Sequence, residues 1–229
     1  MTGSIRSLLL AILLIFSGRL FSQDAFQELD KAYGLDPMLY NGKKYSYFLP
    51  SGTGGTQFIY SQDFISGEMV VKGYCARGLD INYDIYNQKL LLRFNDETGA
   101  SQILEVSEAW LESFRLGDAF FKLLAFNDEK RIYQVLGDGK YQVLYAWSKK
   151  LKLGDYAGHS VYTFSPPFKS RFVSIDGAIY PFNSNPGLIR NFPPGLKTVI
   201  KKYLKDNGIK VKKATDQAMA DLINYISSL

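Results

Sequence analysis

The sequence predicts a mainly β protein: an antiparallel meander forming a barrel or a sandwich, with two amphipathic helices at the C-terminus. Three observations predict it. Apolar and polar residues alternate with period two through the middle of the chain. Turn residues separate short apolar runs at intervals of about 8–12 residues, the spacing of all-β folds. Over the last 45 residues the apolar period changes from that of a strand to that of a helix.

"LDINYDIY", Leu79–Tyr86, is the clearest strand. Leu79, Ile81, Tyr83 and Ile85 point one way; Asp80, Asn82, Asp84 and Tyr86 point the other, giving one dry and one wet side. "NQ" then links it to "KLLLRF", Lys89–Phe94, as a hairpin. "RIYQVL" and "KYQVLYAWS" flank the loop Gly137–Gly139, and "SRFVSI" and "AIYPF" flank Asp176-Gly177, the strongest short hairpin signal present. Further strands are expected over Lys44–Phe48, Gln57–Tyr60, Glu68–Cys75, Gln102–Val106, Ser113–Leu116, Ala119–Leu124 and Ser160–Phe164. The helices that a parallel sheet needs between its strands are missing.

In the C-terminal stretch Pro193 and Pro194 suit a first helical turn, and Leu196, Val199, Ile200, Tyr203 and Leu204 recur at helical spacing before the stop Asn207-Gly208. Thr215 and Asp216 then offer an N-cap, and Met219, Leu222, Ile223 and Ile226 fall at i, i+3, i+4 and i+7. Two helices of about three turns are expected, each burying one apolar stripe.

The N-terminus reads as a secretory signal peptide. Arg6 precedes the apolar run Leu8–Phe16, and a polar stretch with Ser22 before Gln23 follows as the expected cleavage point. The run is shorter than the roughly 20 residues a membrane-spanning helix needs. The expected organisation is therefore a signal peptide over 1–22, an antiparallel β body over 23–185 and a helical segment over 186–229 packed on that body. The expected location is periplasmic or extracellular. Loss of Arg6 and Arg19 leaves a net charge of 27 − 2 − 22 = +3. An exported, mildly basic chain is a poor nucleic-acid binder. Cys75 is the sole cysteine, so no internal disulfide forms.

Local motifs exclude several chemistries. "SGTGGT", Ser51–Thr56, is followed by an aromatic, β-branched stretch with no nearby lysine, so it reads as a turn and not as a phosphate loop. "DINYD" begins like a calcium loop, but Ile85 and Leu91 occupy the positions that need Gly and Glu. On a strand, Asp80 and Asp84 lie about 13–14 Å apart, beyond the roughly 5–9.5 Å of a paired-carboxylate glycosidase site. With His159 the only histidine, a multi-histidine metal site cannot form in one chain. Cys75 and His159 are the one Cys/His pair available, and Cys75 is expected as a small buried apolar residue. No metal or cofactor is expected.

Aromatic residues are abundant, with 16 Tyr, 16 Phe and 2 Trp. Tyr141, Tyr145 and Trp147 share one strand face with Val143 and are the candidate binding residues, since such side chains join an apolar body to a polar handle suited to sugar or lipid. Lys197, Lys201 and Lys205 form one helical row, and with Lys202, Lys210, Lys212 and Lys213 they offer a weak contact with anionic surfaces.

Through "DPMLYNGKKYSYFLP", "LDINYDIYNQKLLLRF" and "DGAIYPF…LIRNFPPGLKTVIKKYLKDNGIKV", the chain resembles uncharacterised exported bacterial proteins with a signal peptide, a β-rich body and a short helical tail. The resemblance implies export and architecture, and brings no active residues. The expected function is a non-catalytic cell-envelope protein, a β-rich binding or structural module for an unknown ligand or envelope partner. The alternative is a hydrolase using carboxylates contributed by distant strands.

Overall fold

The computed structural model describes residues 42–96, 98–156 and 159–229; the expected signal peptide, residues 1–22, lies outside them. The chain is mainly β, as the sequence predicts, and the helices among the described residues lie near the C-terminus. Eleven strands form one antiparallel sheet in the order β1-β5-β4-β3-β2-β6-β7-β8-β9-β12-β13, and β10 and β11 form a separate hairpin. The strands are β1 (Lys43–Lys44), β2 (Ile65–Val71), β3 (Tyr74–Asp84), β4 (Lys89–Asn95), β5 (Ser101–Glu105), β6 (Leu111–Leu116) and β7 (Ala119–Phe126). They continue as β8 (Glu129–Leu136), β9 (Tyr141–Ser148), β10 (Leu151–Tyr156), β11 (His159–Phe164), β12 (Phe168–Ile175) and β13 (Ala178–Pro181). The sheet ends on β1 and β13 without closing, so the barrel alternative is corrected to an open sheet. Both edge strands are very short, which limits the unpaired backbone they present. Nor is the order a simple meander: β2 sits between β3 and β6, so the chain returns from β5 to the middle of the sheet.

Gly67 makes that junction possible. It lies where β2 is flanked on both sides, at a bulge against β3. A Cβ there would come within 2.6 Å of the Ile81 side chain and 2.5 Å of the Arg115 carbonyl oxygen, so only glycine fits.

Several boundaries differ from the expectation. Glu68–Cys75 is not one strand but a hairpin, because Lys72 and Gly73 turn the chain with φ of 47° and 76°. Cys75 is therefore the second residue of β3 and is exposed, not buried. The β3–β4 link is longer than Asn-Gln: residues 85–88 form it, and the Asp84 carboxylate caps the Tyr86 and Asn87 amides. The run 44–48 contributes only its first residue to β1, and 57–60 is irregular apart from a bridge between Phe58 and Asp84.

Three helices lie among the described residues: α1 (Asn185–Asn191), α2 (Pro194–Asp206) and α3 (Asp216–Ser227). The short α1, capped by Ser184, has too few turns to show a helical period in the sequence. The Thr215 hydroxyl caps α3 by accepting from the Ala218 amide, as expected. The helices bury Leu188, Ile200, Leu204, Met219, Leu222, Ile223 and Ile226 against Tyr141, Val143, Tyr145 and Val173 of β9 and β12. A second core, built on Met69, Ile81, Tyr83, Phe114 and Phe121, fills the other half of the same sheet.

Candidate functional site

Where the two halves of the sheet meet, a cleft of about 550 Å³ lies between the sheet and α3. Tyr60 comes from the N-terminal loop, Arg115 to Phe120 from the β6–β7 hairpin, Gln134 to Gly137 from the end of β8, and Asp216, Gln217 and Ala220 from α3.

Backbone register brings these groups together. Gln134 is paired with Phe121 on one side and with Tyr145 on the other, so it is a lone polar residue in a row of aromatics. It is buried, at 5% exposure, and its amide must find partners. Its Oε1 accepts from Trp147 Nε1 at 2.7 Å. Indole nitrogen only donates, so this contact fixes the orientation of the amide and aims Nε2 at the cleft. There Nε2 donates to Asp216 Oδ2 at 2.7 Å. Asp216 stands in the first turn of α3, where the helix dipole favours a carboxylate. Its other oxygen, Oδ1, accepts from Lys169 Nζ at 2.8 Å. The same ammonium lies 4.0 Å above the Tyr145 ring and 5.3 Å from that of Trp147, a favourable cation–π arrangement. The relay Trp147–Gln134–Asp216–Lys169 is thus complete, and it ties β8, β9, β12 and α3 to one point.

The rim is more open. Tyr60 is 58% exposed. Partial burial, then the negative fields of Asp216 and Asp118, push its phenol pKa upward, so both carboxylates bear on this hydroxyl. Arg115 donates to Glu68 at 3.2 Å and lies 5.2 Å from the centre of the Phe120 ring.

The candidate binding aromatics share one face of β9, as expected, and that face turns into the sheet–helix core. Tyr141 is 4% exposed and packs on Phe192 with ring centroids 5.4 Å apart. Tyr145 is fully buried, and its hydroxyl has no hydrogen-bond partner among the described residues. Trp147, partly buried, bridges the two cores and reaches the cleft only through Gln134. None of the three lines the cleft. Tyr60, Asp118 and Gln134 carry no expectation in the sequence, and Asp216 is expected there only as part of a helix cap. The one available signal was Gln134, a polar side chain in the otherwise apolar stretch "RIYQVL".

The wet face expected on β3 is covered instead. Asp84 is fully buried and accepts from the Tyr45 hydroxyl at 2.7 Å, the Asn87 side-chain amide at 2.8 Å and the backbone amides of Tyr86 and Asn87. Asn82 donates to the carbonyls of Ser61 and Asp63. Residues 45–63 cross this face and are anchored by Asn82 and Asp84, while Asp80, still partly exposed, pairs with Arg93 at 2.7 Å. The loop 51–56 is a turn, as read. Gly54 exchanges hydrogen bonds with β11, and Lys149 holds the carbonyls of Thr56 and Phe58 at 2.7 and 2.6 Å. Desolvation lowers the Lys149 pKa, and Asp84 opposes that shift.

Among the described residues no group of three or more His, Cys, Asp and Glu side chains is placed to hold a metal ion, and no helix is long and apolar enough to cross a membrane. The His159 side chain lies outside the described part. No known family model, curated protein or solved structure matches the chain.

Proposed function

We propose that the protein is a non-catalytic binding module of the cell envelope, exported by its N-terminal signal, and that the cleft between the sheet and α3 takes a hydroxyl-rich ligand of the saccharide class. The observation that supports this most directly is the pairing of a half-exposed aromatic, Tyr60, with a floor of fixed polar groups, Gln134 and Asp216. A sugar ring has an apolar C–H face, which suits stacking on tyrosine, and an edge of hydroxyls, which suits an amide and a carboxylate. The floor is held by the relay before any ligand arrives, so little ordering is needed on binding. A volume of about 550 Å³ accommodates one or two sugar rings within the usual range of ligand pockets.

The test is calorimetric titration of residues 23–229 with neutral and acidic cell-wall oligosaccharides. Tyr60→Ala is expected to weaken binding at least tenfold. Because Tyr60 is exposed, its removal leaves stability within about 0.5 kcal/mol. Equal binding by the variant would contradict the assignment.

A second reading, a carboxylate hydrolase, is favoured by one observation: Asp118 and Asp216, from distant elements, line the same cleft. Against it, Asp216 is held by Gln134 and Lys169, which fixes it as a hydrogen-bond acceptor with lone pairs left for ligand hydroxyls and not as a free nucleophile. Release of reducing ends by the wild type, abolished in Asp118→Asn, would establish the hydrolase.

A further inference from the structure

The helical segment carries a second concavity, separate from the cleft and independent of its assignment. Between α1 and α2 lies a groove of about 410 Å³. Its floor is apolar, formed by Pro186, Ile189, Leu204 and Ile209, and Lys201, Lys205 and Lys210 stand around it. All three lysines are exposed, and none makes an ion pair among the described residues. Over residues 191–215 there are seven lysines and one acid, Asp206, a local balance of 7 − 1 = +6. The groove is also braced. The Asn185 side chain donates to the Ile209 carbonyl at 2.6 Å and accepts from the Val211 amide at 2.9 Å, which pins the segment after α2 against α1.

An apolar floor beneath three uncompensated cations is complementary to one kind of molecule: a hydrocarbon chain ending in a negative charge. A solvated lysine face needs no apolar concavity beside it, and a hydrophobic interface with another protein is usually depleted of lysine. The volume lies within the range of small-molecule sites. We propose that the groove between α1 and α2 binds a single-chain anionic amphiphile of the fatty-acid class, its chain on Ile189, Leu204 and Ile209 and its carboxylate among Lys201, Lys205 and Lys210. Such a site would let the module carry or sense acyl chains at the envelope while the sheet–α3 cleft stays free.

The experiment is titration of residues 23–229 with dodecanoate below its micelle concentration, followed by calorimetry and by methyl NMR shifts. Binding is expected, with the largest shifts at Ile189, Leu204 and Ile209. Each fully buried methylene adds about fourfold in affinity, so octanoate is expected to bind at least tenfold more weakly. Dodecyltrimethylammonium, with the same chain and the opposite charge, is expected to bind at least tenfold more weakly as well. The exposed triple change Lys201→Glu, Lys205→Glu and Lys210→Glu is expected to remove dodecanoate binding while leaving the thermal melt in place, and the triple change to Gln is expected to weaken it less. Equal affinity for the cationic amphiphile, shifts confined to other parts of the molecule, or binding to phosphatidylglycerol vesicles without binding to dodecanoate would each overturn the proposal. Because the cleft contributes none of these groups, a Tyr60→Ala variant is expected to bind dodecanoate normally.

Discussion

Gln134 and Asp216 lie 82 residues apart in the chain, and a 2.7 Å hydrogen bond from Gln134 Nε2 to Asp216 Oδ2 joins the end of β8 to the first turn of α3. Replacing Gln134 with leucine keeps the volume but leaves the Trp147 N–H without its acceptor and Asp216 without one donor. An unsatisfied buried group costs about 1–3 kcal/mol, so Gln134→Leu is expected to lower stability by about 2 kcal/mol in urea unfolding. Trp147 emission should change as well, since its indole loses that acceptor.

The seat of α3 on the β8–β9 turn is tested by two glycines. Gly137 and Gly177 both have positive φ, 83° and 86°, so alanine at either carries the left-handed backbone cost of about 1–2 kcal/mol. They differ in what lies beyond. A Cβ on Gly137 meets Ile223 Cγ2 of α3 at 2.6 Å, and one on Gly177 meets nothing within 4 Å. Gly137→Ala is therefore expected to destabilise by at least about 1 kcal/mol more than Gly177→Ala, by overpacking. Equal losses in paired thermal melts would place α3 away from the turn.

Asp84 holds the N-terminal loop to the sheet. Its carboxylate is buried and accepts four hydrogen bonds, two of them from backbone amides of the β3–β4 turn. Hydrogen bonds to charged groups are worth more than neutral ones, so Asp84→Ala is expected to cost about 3 kcal/mol. Hydrogen exchange is the sharper readout: amide protection should fall over residues 45–60 and in the 85–88 turn, and remain in β8 and β9.

Much of this architecture was legible because period two and helical spacing follow directly from burial of one face. Ile81, Tyr83 and Ile85 are fully buried as their alternation required, and Asp176-Gly177 forms the expected two-residue turn. Three things were not legible. The turn at Lys72-Gly73 breaks an apolar run that has no Asn or Asp to announce it, so two strands read as one. The second is coverage of a polar face: Asn82 and Asp84 look solvated in sequence, and only the crossing of residues 45–63 buries them. The cleft was invisible for a related reason. It is assembled from Tyr60, Asp118, Gln134 and Asp216, which come from four separate elements, and no local spacing relates them.

Buried phenols set an alkaline limit. Burial raises the pKa values of Tyr83 and Tyr145 well above the ordinary 10.0. Above pH 10 the unfolded chain therefore loses protons that the folded chain retains. Stability contributed by these groups is complete below pH 10 and falls as pH rises, by about 1.4 kcal/mol per pH unit for each such tyrosine. Phenolate absorbance is expected to show two classes of tyrosine, the buried class ionising only together with unfolding. A single smooth titration of all 16 tyrosines in the folded state would refute this.

Saccharide binding in the cleft between the sheet and α3 can be read residue by residue, by backbone NMR of residues 23–229 during titration with cell-wall oligosaccharides. Saturable shifts clustered at Tyr60, Asp118, Phe120 and Ala220 are expected, with the sugar recovered intact. Shifts scattered over the surface, or confined to β10 and β11, would contradict it.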